Sequence, residues 1–294
     1  MTSAGQWHFD VHTATLLGRG SESAVYALDD QHVLRHYHPG ISGAYVAARA
    51  VLCERIAAAG ATFSVPQVIA HGQLAGRPAT IERRLAGADL ATAWPGLTPA
   101  ARHVALASYQ QVAGQIGCVC FPDSPYGELL GTDAAIRRDC WPGYLMARLD
   151  ATLARSRGWL LRDVPRLAAL LRWFGRAVAD TLGSVPRALV HGDYFPGNVF
   201  VDGRAQVHAV GDWGYSTIVG DPRLDQVTAA QFLALVDGMG DDARTTALSR
   251  LAIDPLVIAL YTSYAALYFA PCHDDDPRTY AWCVATLRQI SATC

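Results

Sequence analysis

His191-Gly192-Asp193-Tyr194-Phe195-Pro196-Gly197-Asn198, followed by Gly211-Asp212-Trp213-Gly214, decides how the rest of this chain is read. An aspartate on a tight loop, Asp193, can accept a hydrogen bond from a substrate hydroxyl and orient it. Asn198, five residues on, offers a neutral carbonyl oxygen. Asp212 follows an apolar run that reads as a returning strand, and it offers a carboxylate. A hard cation such as Mg²⁺ takes oxygen ligands of this kind and completes its shell with phosphate oxygens and water. One hydroxyl-orienting carboxylate and two metal ligands are the minimum for phosphoryl transfer, where positioning and charge neutralisation do most of the work. A lone D-x-x-x-x-N is usually a turn. The weight comes from four features in order: a Gly-containing hairpin, a basic strand residue, the 191–198 loop, and Asp212-Trp213-Gly214.

Around this block the chain alternates between two textures. Thr15-Leu16-Leu17, Ser23 to Ala27, and His32 to Tyr37 read as short strands separated by turns at Gly18-Arg19-Gly20 and Asp29-Asp30. A helix is expected from about Gly43 to Ala59, stopped by Gly60, with further strands at Val65–Ile69 and Ala79–Glu82. From about residue 86 the pattern turns helical: Pro99 to Gly114, Trp141 to Arg157, and Val164 to Leu182. It breaks for three short apolar runs at 188–190, 199–201 and 207–210. Asp254-Pro255 is a strong helix start, with Asp at the cap and Pro in the first turn. The expected architecture is α+β: residues 1–84 a small β-rich lobe with one main helix, and 85–294 a larger, mostly helical lobe.

Composition removes several function classes. The chain has 294 residues, 51% apolar and 17% charged, with a net charge of −2, which excludes disorder. Nothing in that charge calls for nucleic acid. All 24 basic residues are Arg, so any task usually given to lysine falls to Arg. The seven Cys are odd in number and irregular in spacing, which favours reduced thiols over a disulfide framework or a zinc site. The N-terminal Met1–Trp7 has neither a basic nor an apolar leader region, and Leu256–Ala270 falls short of the ~20 residues a bilayer span takes. A cytoplasmic protein without a membrane partner is expected; the oligomeric state is left open.

The motif set resembles the aminoglycoside phosphotransferase and choline kinase-like family, a branch of the protein kinase-like fold. That family's loop reads H-G-D-x-x-x-x-N, and its metal-binding Asp precedes a G-D-P-x-x-D segment, here Gly220-Asp221-Pro222-Arg223-Leu224-Asp225. The resemblance implies a bilobal kinase-like fold, ATP or GTP as donor, and Mg²⁺ as cofactor. It makes Asp193 the catalytic Asp and gives Asn198 and Asp212 the metal. Asp221 and Asp225 are read as braces for the loop and the next helix. By the same resemblance Gly18, Gly20 and Ser21 belong to a nucleotide-covering turn. Arg35 stands where the family has a strand Lys, and it grips phosphate with a planar fork rather than a point charge. Its expected partner is Glu54, the only acid in the 43–59 helix, sharing a stripe with Ala47, Ala50, Val51 and Ala58; a solvated Glu54 is the alternative. Glu82 and Arg84 mark the expected hinge, where backbone groups meet the adenine edge.

The acceptor is expected to be a small molecule carrying a hydroxyl. Only seven residues separate Asp212 from Gly220, too few for a peptide-docking activation segment. The tyrosines at 261, 264 and 268 form an i, i+3, i+7 stripe ahead of His273-Asp274-Asp275-Asp276. This reads either as core packing with a solvated acidic turn, or as an aromatic wall with carboxylates for a cationic or sugar-like acceptor. The near-balanced charge also suits a less charged antibiotic or metabolite. Three functional readings follow: an antibiotic O-phosphotransferase, a metabolic kinase for an amino alcohol or sugar, and a nucleotide-binding pseudokinase.

Overall fold

The computed structural model describes residues 5–7, 9–130 and 135–293; Met1–Ala4 and Cys294 lie outside the described residues. Apolar alternation builds the first sheet. Its strands are β1 (Gly5–Gln6), β2 (Leu16–Arg19), β3 (Ser23–Ala27) and β4 (His32–Tyr37), then β5 (Val68–Leu74) and β6 (Arg77–Arg83) after a helix, α1 (Gly43–Ala58). The order is β1-β5-β6-β4-β3-β2, antiparallel except for the β1–β5 pair. Ala24, Tyr26, Leu34, Leu74 and Ala79 close one face. The strand expected at 65–69 begins later, past Pro66, which has no N–H to give a ladder.

Helix α1 starts because Ser42 Oγ accepts the Tyr45 N–H at 3.1 Å, and it stops ahead of Gly60, whose φ of +76° suits glycine. Its buried face carries Tyr45, Val46, Arg49, Leu52, Cys53 and Ile56. A charged residue in the middle of that apolar face demands a counter-ion.

The second lobe follows as β7 (Ala88–Asp89), α2 (Leu90–Ala93), α3 (Pro99–Ile116), β8 (Tyr126–Glu128), β9 (Arg137–Arg138), α4 (Trp141–Asp163) and α5 (Leu167–Thr181). It continues with β10 (Ala188–Val190), β11 (Val199–Val201), β12 (Val207–Val210), β13 (Ile218–Gly220), α6 (Arg223–Phe232), α7 (Gly240–Ser249), α8 (Pro255–Phe269) and α9 (Pro277–Ser291). Two small sheets, β12-β11-β7 and β10-β13-β8-β9, hold the segments between residues 188 and 220. One apolar cluster joins Ile56 of α1, Tyr109 and Val112 of α3, Val199 and Val210 of the hairpin, and Trp213. The loop block thus rests on a core shared with the N-terminal lobe. A second cluster packs α4, α5, α8 and α9 through Trp141, Leu149, Phe174, Leu260 and Leu287.

Helix α8 with its following turn, Pro255–His273, is 19 residues and is long and apolar enough to cross a membrane, longer than the sequence reading allowed. More than half of it is buried against its neighbours, as in a core helix. The six described cysteines are all free, and no cluster of three His, Cys, Asp or Glu side chains poised for a metal occurs among the described residues.

Candidate active site

The 191–198 loop is fixed from below by buried groups. Asp225 of α6 is fully buried and accepts the N–H of His191 at 2.6 Å and of Gly192 at 2.9 Å. Burial pushes its carboxyl up to about 7, against the two N–H bonds that lower it. Asp221 pairs with Arg223 and accepts the Arg223 N–H at 3.0 Å at the start of α6; Tyr261 donates its hydroxyl to the same carboxylate. Tyr194 and Tyr109 stack at 4.8 Å, and each donates its hydroxyl to the other's carbonyl. Gly192 has a φ of +77°, and a Cβ there would lie 2.1 Å from the Ser216 carbonyl oxygen, so the turn closes only with glycine.

His191 links the loop to the Asp212 segment. Its Nε2–H donates to the Gly211 carbonyl at 2.9 Å, and its Nδ1 accepts the Asp193 N–H at 3.3 Å. The ring is completely buried beside Trp213, and burial lowers its pKa, so it serves as a neutral spacer. The carbonyl of Asn198 takes the Gly211 N–H at 2.8 Å. These bonds bring Asp193, Asn198 and Asp212 to one cleft.

Within that cleft each polar atom has a direction. Asn198 Nδ2 donates to the Asp193 carbonyl at 2.9 Å and to Asp193 Oδ2 at 3.3 Å, which turns Oδ1 the other way. Asp212 sits at φ +54°, a left-handed conformation rare for a side-chain-bearing residue, with its carboxylate half exposed between buried Gly211 and Trp213. Burial, then the nearby Asp212 charge, pushes the Asp193 carboxyl up to about 7. Two oxygen donors beside a carboxylate held under like-charge pressure fit a divalent cation, which relieves that pressure when bound.

The expected Arg35–Glu54 pair does not form. Glu54 points to solvent with Val51, on the face of α1 away from the sheet. Arg35 instead donates to Ser23 Oγ at 2.8 Å, contacts Asp212 Oδ1 at 3.3 Å, and brings Nε within 3.4 Å of Glu82 Oε1, an ion contact without hydrogen-bond alignment. The helix contributes a second cation, Arg49, 1% exposed. Its NH1 lies 2.7 Å from Glu82 Oε1, and its Nε donates to the Trp213 carbonyl at 2.8 Å. Thr80 donates a second hydrogen bond to Glu82 Oε1 at 2.8 Å. Burial would raise the Glu82 carboxyl, but the Arg49 and Arg35 guanidiniums outweigh it and hold it at about 2. Two guanidiniums, one from strand and one from helix, therefore share a carboxylate from β6. Arg49 escaped the sequence reading; its position within the buried stripe of α1 was the available signal.

The Glu82 side chain is sealed in this triad, and its backbone, expected with Arg84 to meet the adenine edge, lies within the sheet between β4 and β5. The N–H groups of Arg83 and Arg84 go to the carbonyls of Gln67 (2.9 Å) and Gln31 (2.7 Å), so neither is free for a base. Arg84 itself is exposed, and the crossing between lobes lies just beyond it, through Leu85, Ala86 and Gly87. Gly18 is exposed within β2 and Ser21 on the β2–β3 turn, and Gly20 of that turn lies close to Asp212: a Cβ on it would be 4.0 Å from Oδ2. The same turn supplies a residue the sequence reading passed over. Glu22 accepts the Tyr215 N–H at 2.9 Å and the Tyr45 hydroxyl, and Tyr215 packs on Tyr45 at 4.3 Å. Glu22 thereby ties the turn to the segment just past Asp212-Trp213-Gly214.

A six-stranded N-terminal sheet over a helical lobe, with an H-G-D-x-x-x-x-N loop and a D-W-G segment meeting in the cleft, defines a protein kinase-like phosphotransferase. The chain belongs to the phosphotransferase enzyme family, which matches residues 13–267, and it is an enzyme that passes phosphate to a hydroxyl acceptor. No curated protein is similar enough to match. Solved structures with the same fold include the GDP and kanamycin complex of APH(2″)-IIIa, with TM-score 0.63, 14% identity, and coverage of 97% of this chain and 95% of that one. The streptomycin–ATP–APH(2″)-IIa ternary complex has TM-score 0.61 and 16% identity over 94% of this chain and 90% of that one. Macrolide 2′-phosphotransferase type I has TM-score 0.54 and 18% identity over 94% and 93%. At these identities the likeness is one of fold.

Proposed function

We propose that this chain moves the γ-phosphoryl group of ATP or GTP to a hydroxyl of an antibiotic or antibiotic-like small molecule in the cytoplasm. Residues 1–84 cover the nucleotide, and 85–294 carry the catalytic loop and the acceptor site. The observation that supports this best is the meeting of Asp193, Asn198, Asp212 and Arg35 in one cleft. The nucleotides and antibiotics named for the structural neighbours point the same way.

Asp193 holds the acceptor hydroxyl in line with the γ-phosphorus. The hydroxyl oxygen forms the new P–O bond, the bond from the γ-phosphorus to the β-bridging oxygen breaks, and the hydroxyl proton passes to the Asp193 carboxylate. The nucleoside diphosphate leaves. Asn198 Oδ1 and Asp212 would hold Mg²⁺, which when bound neutralises the phosphate charge. Arg35, braced by Ser23 and Glu82, grips the inner phosphates. The turn around Gly18, Gly20 and Ser21 covers them.

The test is mass detection of an added phosphoryl group on a panel of antibiotics, amino alcohols and sugars, with Mg-ATP and Mg-GTP in parallel. An antibiotic product supports the reading, and an amino alcohol or simple sugar product moves the enzyme to metabolism. Nucleotide binding without transfer or hydrolysis makes it a pseudokinase and ends the proposal.

A further inference from the structure

The turn between β2 and β3 is the nucleotide cover in the reading above, yet it lies directly on the segment assigned to the metal. A Cβ built on Gly20 would be 4.0 Å from Asp212 Oδ2, so one carbon atom fills the gap between them. A magnesium ion stands about 2.1 Å from each oxygen it binds, and a phosphate stacked beyond it does not fit that gap. Arg35, the phosphate grip, is turned onto Asp212 Oδ1 at 3.3 Å. The Gly20 N–H goes to the Ser23 carbonyl at 2.9 Å and is not offered to a phosphate. In this arrangement the cleft is shut.

Glu22 holds it so. Its Oε1 accepts the N–H of Tyr215, 193 residues away in the chain, at 2.9 Å, and its Oε2 accepts the Tyr45 hydroxyl from α1. The carboxylate lies against Gly214, where a Cβ would collide with Oε1. The Tyr215 ring packs on Tyr45 at 4.3 Å, which keeps the Tyr215 backbone within reach of Glu22. On the sheet side, the His38 N–H donates to the Glu22 carbonyl at 2.8 Å, and His38 Nε2–H donates to the Gly20 carbonyl at 3.0 Å. The turn is thus tied to the sheet by His38 and across the cleft by Glu22.

Hydrogen bonds to a carboxylate are stronger than neutral ones, so the tie across the cleft is a firm one. It does nothing for a phosphate. Glu22 is itself an anion, and its charge adds to that of Asp212 in pushing the Asp193 carboxyl up. We infer that Glu22 is a latch that holds the covering turn down on the Asp212 segment, and that Mg-nucleotide enters when the Glu22–Tyr215 and Glu22–Tyr45 bonds open. Mg-nucleotide carries what both freed groups need, a cation for Asp212 and phosphate for Arg35. The inference rests on the phosphotransferase reading and adds control of nucleotide entry to it. Where the open fraction alone binds, apparent affinity is reduced by that fraction, so loosening the latch raises it. A glutamate that shaped the turn for phosphate would give the opposite sign.

The experiment follows mant-labelled ATP and GTP with Mg²⁺ by stopped flow on the full chain. Glu22→Ala is expected to speed association about tenfold and to tighten binding, and Tyr45→Phe to speed association about threefold. Glu22→Gln keeps an acceptor for the Tyr215 N–H and is expected to lie between wild type and Glu22→Ala. Hydrogen exchange at the Tyr215 amide is a readout independent of turnover. That amide is expected to be protected in the protein alone and to exchange faster with Mg-nucleotide bound, whereas a ligand that stabilises the fold without opening the latch slows it. A thermal melt accompanies each variant. Should Glu22→Ala fail to fold, Tyr45→Phe takes its place.

Slower or unchanged association in folded Glu22→Ala overturns the inference, as does a Tyr215 amide that Mg-nucleotide slows or leaves unchanged. Failure of the parent reading looks different: wild type and variants alike then neither transfer phosphate nor hydrolyse the nucleotide, whatever their association rates.

Discussion

Glu82 Oε1 lies 2.7 Å from Arg49 NH1, and both side chains are sealed from solvent, at 2% and 1% exposure. This pair replaces the strand-cation and helix-acid arrangement expected from the sequence. The helix brings a cation and the neighbouring strand brings the acid, so Arg35 is held by Glu82 across the sheet rather than from α1. Arg49 also reaches the Trp213 carbonyl, which couples α1 to the residue after Asp212.

Replacing Glu82 by Gln leaves the buried Arg49 charge without a counter-ion. Breaking such a pair costs about 3–5 kcal/mol, so urea unfolding of Glu82→Gln is expected to show a loss of that order at pH 7. Mg-nucleotide binding should weaken with it, because Arg35 loses one of its two carboxylates.

The pH dependence of that loss has a definite sign. The Glu82 carboxyl titrates at about 2 when folded, below its usual value of 4.5. Its contribution to stability is complete above the unfolded value and is lost as the pH falls toward the folded one. Unfolding curves of wild type and Glu82→Gln are therefore expected to lie furthest apart at pH 6–7 and to approach each other below about pH 4.5. A gap that widens on acidification contradicts the arrangement.

Glu54→Gln serves as the matched control. Glu54 is exposed on α1, and surface changes away from special features stay within about 0.5 kcal/mol. Calorimetry should give the wild-type nucleotide affinity and the melt the wild-type midpoint. A clear loss of affinity would restore the pairing with Arg35.

Gly192→Ala tests the loop itself. The added Cβ meets the Ser216 carbonyl at 2.1 Å, at a φ that alanine rarely adopts. Strain at such positions costs on the order of 1–3 kcal/mol. Turnover is expected to fall by at least tenfold, with a lower melting midpoint, because the turn that carries Asp193 must shift.

Much of this site was legible because it is local in sequence. The 191–198 loop and the strands at 188–190, 199–201 and 207–210 are short contiguous signals, and the structure has those strands at the same residues. Asp254-Pro255 starts α8 through a cap and a first-turn proline, again a local cue. What escaped depends on distant partners. Stripe counting chose Glu54 because it is the only acid on α1, yet the buried stripe runs through Tyr45, Val46, Arg49, Cys53 and Ile56. Burial of Arg49 becomes intelligible only once β6 delivers Glu82, 33 residues later. The two-residue strands β7 and β9 and the three-residue β8 and β13 are paired by tertiary contacts and carry no alternation long enough to see. Glu22 looked like part of a turn because its partner, Tyr215, is 193 residues away.

The central claim is that Asp193 acts on the acceptor while Asn198 and Asp212 serve the metal–nucleotide. It is tested most directly by measuring Mg-nucleotide binding and phosphoryl transfer on the same preparations of wild type, Asp193→Asn and Asp212→Ala. Asp193→Asn is expected to bind Mg-nucleotide as wild type does and to lose about 10²–10⁴-fold in turnover, whereas Asp212→Ala raises the magnesium concentration that binding requires. Wild-type turnover in Asp193→Asn, or a magnesium titration of Asp212→Ala indistinguishable from wild type, would contradict it.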